Sequence, residues 1–325
     1  MKLNSNTLTF EQTNRLKGLL ILLIVFGHNS QLLEQFGSLH STLYSFHVVS
    51  FLLLPFLFNK DRLTLKNIFK NLRRIYIPFT LFFLLSLTIF SFLEHKFDPV
   101  SALVSWGIGS SAFLKIDTGL RVFWFFPALM STVLLLMIYN SLSLPTRKIF
   151  FIFMLILHIL IPFIPKEYLF YFPLSSYISI YLFTIGVAVK YLYENIDYSK
   201  YAWLISGLFI ALLFLAYGSD FSLASAIFPN IKEDTLNVVL QDLIMVFSFF
   251  ALILWSRNIK FFETFGHYSL GIFTVHPFIV QALNKVYPWE TFTEGLVKFI
   301  LIILITYLIV KIIYFFNINK ILYPR

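Results

Sequence analysis

The chain has 325 residues, of which 58% are hydrophobic, 19% are aromatic and 13% are charged, and its formal net charge is +9. This composition is too apolar for a soluble globular domain. Because the chain has no cysteine, disulfides, thiolate chemistry and cysteine-based zinc sites are excluded.

Apolar stretches long enough to cross a bilayer recur along the chain, separated by charged or Pro-containing loops. We predict spans at about 16–36, 42–58, 76–94, 121–140, 149–165, 172–192, 201–218, 236–256, 268–286 and 295–316. The segment Ala102–Phe113 is too short and too rich in Gly and Ser for a span, so we predict a re-entrant or interfacial piece. The sequence thus predicts an all-α, polytopic membrane protein of about ten helices, with a single transmembrane domain over residues 1–325 and no appended soluble domain.

The basic residues are distributed unevenly over the predicted loops. With the N-terminus inside, about eighteen Lys and Arg fall on the cytoplasmic side and about seven outside, which predicts cytoplasmic termini and an outer loop around Asn230. This topology explains the net charge without nucleic acid as a partner. The loop after the second span alone contributes Lys60, Arg62, Lys66, Lys70, Arg73 and Arg74. One interpretation of this patch is binding of anionic lipid headgroups.

Lys17 and His28 stand at the two ends of an apolar run, eleven positions apart. Eleven residues are close to three helical turns, so both side chains face the same way, roughly 16 Å apart along the axis. Ionisable groups inside a membrane are costly and tend to mark function. The structural alternative is a satisfied core histidine and a lysine that snorkels to the interface.

Further polar side chains are predicted at depths that overlap with that of His28. These are His47, Asp242 with Gln241 beside it, and His276. A carboxylate near an imidazole orients it and raises its basicity, which general-base catalysis requires. We therefore hypothesise a cluster of Asp242 with His28.

The sequence does not favour a metal site or nucleotide-triphosphate chemistry. The histidines, including His158, lie on different predicted helices and lack the i, i+4 spacing of a helical metal pair. Phosphate loops, nucleophile elbows and dinucleotide fingerprints are absent from the sequence. We predict no metal.

Several stretches together make the chain resemble the acyltransferase 3 family, the polytopic bacterial O-acyltransferases that modify surface sugars. The basic residue, ten intervening positions and a histidine form the most specific part of this resemblance. The stretches are Arg15–His28, Ser45–His47, Arg73–Pro78, Phe123–Leu129 and Gly271–Pro277. They cover nearly the whole chain.

The resemblance implies an enzyme of the bacterial inner membrane, a multi-pass O-acetyltransferase with acetyl-CoA as acyl donor and no metal. It implies that His28 is the catalytic histidine and Lys17 its basic partner. Lys70, Arg73 and Arg74 would bind the donor phosphates at the cytoplasmic side. The acceptor would be a surface glycan or its lipid-linked precursor, with substrate contacts from His47, Trp124, Asp242 and His276.

Two other functions are compatible with the same layout. A transporter or flippase for a lipid-linked glycan would also have about ten helices and polar residues near the midplane, although the sequence shows no internal repeat. A non-catalytic sensor or scaffold would not need His28. Loss of function in His28→Ala separates the catalytic reading from both alternatives.

Overall fold

The structure is a computed structural model that describes residues 7–29, 32–33, 39–44, 46–94, 97–109, 114, 117–119, 122–161, 174–218 and 235–324. These residues form helices and contain no strand, which confirms the predicted all-α class for the described part of the chain. The helices are α1 (Phe10–Gly27), α2 (Leu39–Tyr44), α3 (His47–Phe58), α4 (Leu65–Glu94), α5 (Pro99–Ile108), α6 (Phe125–Ser141), α7 (Leu144–Leu160), α8 (Leu174–Asn195), α9 (Ala202–Gly218), α10 (Thr235–Ser256), α11 (Phe261–His267), α12 (Ser269–Val286), α13 (Phe292–Phe315) and α14 (Asn319–Leu322). Short 3-10 helices lie at Val122–Trp124 and Tyr198–Tyr201.

Helices long and apolar enough to cross a membrane occur at five places in the described residues. They are Leu65–Leu93, Val122–Ser141, Tyr198–Tyr217, Val238–Ser256 and Phe292–Phe315. The other predicted spans overlap with α1, α3, α7, α8 and α12. The chain therefore has the helices of a multi-pass membrane protein, and the count of about ten spans stays a prediction.

The chain divides into two compact units. The first consists of Met1–Leu53 and Ala188–Phe316, and the second of Leu54–Val187 and Asn317–Arg325. The single domain expected over residues 1–325 stays a prediction.

Helix α1 is the central helix of the first unit, since it contacts α2, α10, α11, α12 and α13. We expected it over about 16–36, with His28 inside the helix. It begins at Phe10 instead, because Thr9 and Gln12 form a capping box in which each side chain accepts a hydrogen bond from the other residue's backbone N–H. It ends at Gly27, so His28 takes the C-cap position with φ −88° and ψ 5°.

The end of α1 is held by α13. The Nδ2 group of Asn29 donates a hydrogen bond to the carbonyl oxygen of Gly295 over 2.7 Å, and the rings of Phe26 and Phe299 meet edge to face at 5.5 Å. These contacts tie the end of α1 to α13 on both sides of His28.

Helix α13 presents one buried stripe to the interior of the first unit. Its buried residues recur every three or four positions, as expected for one helical face: Gly295, Lys298, Ile302, Thr306 and Val310. Gly271 of α12 packs against this stripe and makes room for Val310. A Cβ at position 271 would lie 2.7 Å from the Cγ1 atom of Val310. The stripe therefore fixes how α12 packs on α13.

The second unit is built around the contact between α4 and α6, where the rings of Phe79 and Phe126 lie 6.1 Å apart. The short helix α5 covers most of the segment predicted to be re-entrant or interfacial. Asp98 caps it by accepting hydrogen bonds from the backbone N–H groups of Val100 and Ser101. It ends at Ile108, and the C-cap residue Gly109 has a φ of +63°, which favours glycine. Residues 110–113 of the predicted segment lie outside the described residues.

Candidate active site

His28 lies half-buried at the C-terminus of α1, next to two aromatic side chains. Its Nδ1 atom is 3.4 Å from the hydroxyl oxygen of Tyr44. Its ring centroid is 5.2 Å from that of His276, with the two planes inclined at 40°. The catalytic histidine predicted from the sequence therefore sits beside a second imidazole that the sequence placed on a distant helix.

His47 joins this group from the start of α3. Its ring is fully buried and lies edge to face with the ring of Tyr44, 4.8 Å between centroids. Its Nδ1 group donates to the carbonyl oxygen of Leu43, because a carbonyl can only accept. Nε2 of His47 is then the basic nitrogen.

Gly27 provides the space for His47. A Cβ at position 27 would lie 3.1 Å from Nε2 of His47 and 3.5 Å from the Tyr44 ring. A methyl group at position 27 would therefore press on the His47 ring and make ordinary van der Waals contact with the Tyr44 ring. The glycine lets the backbone of α1 approach the Tyr44–His47 pair closely.

His276 closes the group from α12. The side chain is fully buried, and its Nδ1 group donates to the carbonyl oxygen of Ile272 over 2.9 Å. Its Nε2 atom is buried and has no hydrogen-bond partner among the described residues. A buried acceptor without a donor is unusual in proteins and is consistent with a site that receives a hydroxyl group from a ligand.

The structure thus brings together three of the predicted site residues, His28, His47 and His276, and adds Tyr44. The one sequence signal for Tyr44 is its position three residues before His47. That spacing was not informative because α2 ends at Tyr44 and α3 begins at His47, so the two side chains do not share one helix.

Asp242 lies on α10, which packs against α1 in the same unit. Its side chain is half-buried, and the neighbouring Gln241 is fully buried. The hypothesised cluster of Asp242 with His28 stays a prediction.

Lys17 is half-buried on α1, eleven residues before His28. Close to it, Arg15 forms an ion pair with Glu263 at 3.1 Å and donates a hydrogen bond to the carbonyl oxygen of Arg257 over 2.8 Å. Arg15 therefore ties the start of α1 to the region around α11, whereas the shared helical face of Lys17 and His28 stays a prediction.

Four predicted site residues lie in the second unit. Lys70 forms an ion pair with Asp61 at 3.0 Å, while Arg73 and Arg74 are exposed on α4. Trp124 is half-buried at the end of a 3-10 helix. Phosphate binding by the three basic residues and substrate stacking by Trp124 stay predictions.

Lys298 is a polar residue that the sequence analysis missed. It is fully buried on α13, although the helix as a whole is apolar enough to span a membrane. The available signal was a lysine inside a long apolar stretch, three residues after the glycine that contacts Asn29. A buried lysine within a membrane span tends to mark function.

Within the described residues, no group of three His, Asp or Glu side chains is arranged to hold a metal ion. The absence of a metal from the functional protein stays a prediction.

Comparison with protein families identifies one match. The model of the acyltransferase 3 family, described as an acyltransferase domain, matches residues 12–314. No curated protein and no solved structure matches the chain at a significant level. The matched range includes the whole histidine group and both units almost completely.

Proposed function

The chain belongs to the acyltransferase 3 family, and from this premise we propose that it is a membrane O-acetyltransferase. In this proposal it moves an acetyl group from cytoplasmic acetyl-CoA to a sugar hydroxyl of a cell-surface polysaccharide or its lipid-linked precursor. The proposed location is the bacterial inner membrane, with both termini in the cytoplasm.

The observation that carries the proposal is the meeting of His28, Tyr44, His47 and His276 at the end of α1. A general base must come within hydrogen-bond reach of the hydroxyl that it deprotonates. His28 is the most exposed of the three imidazoles, because it is half-buried whereas His47 and His276 are fully buried. We therefore assign the general base to His28.

The proposed reaction is a direct transfer. The sugar hydroxyl oxygen attacks the thioester carbonyl carbon while His28 takes the hydroxyl proton. The tetrahedral intermediate then collapses, the carbon–sulfur bond breaks, and the leaving thiolate receives the proton from the His28 imidazolium. An acyl-histidine formed on His28, with later transfer to the sugar, is a second route through the same residue.

The buried histidines have a supporting role in this proposal. Nε2 of His276 is a buried acceptor without a partner among the described residues, so a hydroxyl of the acceptor sugar would satisfy it. His47, Asp242 and Trp124 are the other proposed substrate contacts.

The donor is proposed to bind through basic side chains. Phosphate groups are bound by Arg and Lys through charge-assisted hydrogen bonds. Arg73 and Arg74 are exposed, and Lys70 would have to share its ammonium group with Asp61. The pantetheine arm would follow α1 from Lys17 to His28, a distance of roughly 16 Å along the helix.

The direct test is the acetate content of the surface polysaccharide in a deletion strain. We expect the wild-type gene to restore acetylation and the His28→Ala variant to leave it absent. The matched control is His267→Ala, which changes an exposed histidine of the same unit and should restore acetylation. Full acetylation with His28→Ala would favour the flippase or scaffold alternatives.

A further inference from the structure

The hydroxyl of Tyr44 lies near two polar groups at the end of α1. It lies 3.4 Å from the carbonyl oxygen of Gly27 and 3.4 Å from Nδ1 of His28. The phenol ring stands edge to face against His28, with centroids 6.3 Å apart, and against His47. Tyr44 therefore contacts the proposed base from the side of Nδ1.

The direction of the Tyr44 hydroxyl decides what these contacts mean, and its O–H donates to the carbonyl oxygen of Gly27. A phenol has one hydrogen, and the Gly27 carbonyl can only accept. When the phenol hydrogen points to Gly27, the Tyr44 oxygen can only accept from His28, so Nδ1 of His28 must carry a hydrogen. Nε2 of the neutral imidazole is then the atom with the lone pair.

The same polarity holds at the two neighbouring histidines. His47 and His276 each donate from Nδ1 to a backbone carbonyl, of Leu43 and Ile272 respectively. Both therefore present Nε2 as the acceptor. At His28 the acceptor for Nδ1 is not a backbone carbonyl. It is the hydroxyl oxygen of Tyr44, which itself donates to the carbonyl oxygen of Gly27.

We propose that Tyr44 is a positioning residue that holds His28 in the tautomer with a proton on Nδ1, so that Nε2 receives the proton of the acceptor hydroxyl. The inference rests on the proposed function, since it assigns the atom that acts in the same reaction. The arrangement needs no rearrangement during catalysis, because the imidazolium keeps its Nδ1 hydrogen bond to Tyr44. A histidine held in the wrong tautomer cannot act as a base at Nε2.

The test compares Tyr44→Phe with Tyr193→Phe. The control removes a hydroxyl from the same unit, where Tyr193 accepts a hydrogen bond from the backbone N–H of Leu8 over 2.7 Å. We expect kcat for acetyl transfer to fall by about three- to tenfold in Tyr44→Phe, which is the effect of losing one neutral hydrogen bond. The KM for acetyl-CoA should stay unchanged, and Tyr193→Phe should keep the wild-type kcat.

The decisive readout is nitrogen NMR of protein labelled with ¹⁵N-histidine, above the ordinary histidine pKa of about 6.5. The His28 signals are those lost in His28→Asn. In the wild type we expect His28 to carry a proton on Nδ1 and none on Nε2. In Tyr44→Phe we expect a larger fraction of molecules in which His28 carries the proton on Nε2.

Two results would overturn the inference: a wild-type His28 that carries its proton on Nε2, or a tautomer population that Tyr44→Phe leaves unchanged. Neither reading depends on turnover. Acetyl transfer by His28→Asn would instead overturn the proposed function, so the two failures are distinguishable.

Discussion

Gly18 of α1 and Gly266 of α11 lie where the backbones of the two helices touch, and each glycine packs against the other helix. A Cβ at position 18 would overlap the carbonyl group of Phe262, and one at position 266 would overlap that of Asn14. The contact is reciprocal, because each glycine receives a carbonyl from the other helix. The crossing fixes the position of α1, and with it the position of Lys17 and His28.

We predict that Gly18→Ala and Gly266→Ala each destabilise the protein by about 1–3 kcal/mol, the usual cost of overpacking. The added methyl group meets backbone on the neighbouring helix, so the two helices must separate. The measurement is the midpoint of thermal unfolding of the purified protein in detergent.

The matched control for this prediction is Gly207→Ala. Gly207 lies on α9 of the same unit, and a Cβ there would meet no atom within 4 Å. Alanine is a better helix former than glycine by up to about 1 kcal/mol, so the midpoint should hold or rise. Equal loss of stability in all three variants would contradict the crossing as the cause.

The second prediction concerns the separation of donor binding from chemistry. His28→Asn keeps a polar side chain of similar size but cannot take up a proton at neutral pH. We expect acetyl transfer to fall by about 100- to 10,000-fold, the usual contribution of general acid–base catalysis, while binding of labelled acetyl-CoA is retained. His267→Asn is the control, and a His28→Asn variant with wild-type transfer would exclude both proposed routes.

The third prediction concerns the exposed arginines of α4. We expect Arg73→Ala and Arg74→Ala to weaken acetyl-CoA binding, since each lost phosphate contact costs about 1.5–3 kcal/mol. The measurement is equilibrium binding of labelled acetyl-CoA to the purified protein. Lys66→Ala, another exposed cation on the same helix, is expected to bind normally.

A lipid role for this patch would give a different result. Arg73 is four residues from both Phe69 and Ile77, which are exposed apolar residues on the same face of α4. Unchanged acetyl-CoA affinity in the double variant, with weaker association with anionic lipid, would support headgroup binding and contradict the proposed donor site.

The fourth prediction concerns sidedness. Because the chain has no cysteine, a single introduced thiol reports its own location. We expect Glu290→Cys, between α12 and α13, to react with a membrane-impermeant maleimide in intact cells. Lys260→Cys, just before α11, should react only after permeabilisation. Asn230, in another loop predicted outside, lies outside the described residues, so Glu290 is the better probe. If both thiols react from the same side of the membrane, the prediction that His28 lies in the outer half of the membrane is wrong.

The sequence predicted where the helices lie better than it predicted which helices pack against one another. Apolar length and the positions of charged residues were enough to indicate the long apolar helices, because both follow from the local composition of the chain. They did not indicate the short helices α11 and α14. The predicted start of α1 was wrong, because the capping box of Thr9 and Gln12 begins the helix before its apolar run. Hydropathy detects the apolar run but not the polar first turns that precede it.

The site was predicted only in part. His28, His47 and His276 were each selected for being polar at depth, but their meeting depends on which helices pack together, and a single sequence does not contain that information. Tyr44 and Lys298 were missed for different reasons. Tyrosine is common in this chain, and Lys298 lies near the start of the span predicted at 295–316, where a lysine is expected to snorkel to the interface.

The unequal burial of the three imidazoles has a consequence for inhibition. His47 and His276 are fully buried, so a small electrophile that enters the cluster meets His28 before either neighbour. An inhibitor with a mild acylating group would thus react selectively with His28, because His28 is the most accessible of the three rings. This selectivity would need no difference in nucleophilicity among the rings. The residue to which we assign the chemistry would also be the residue most open to covalent blockade.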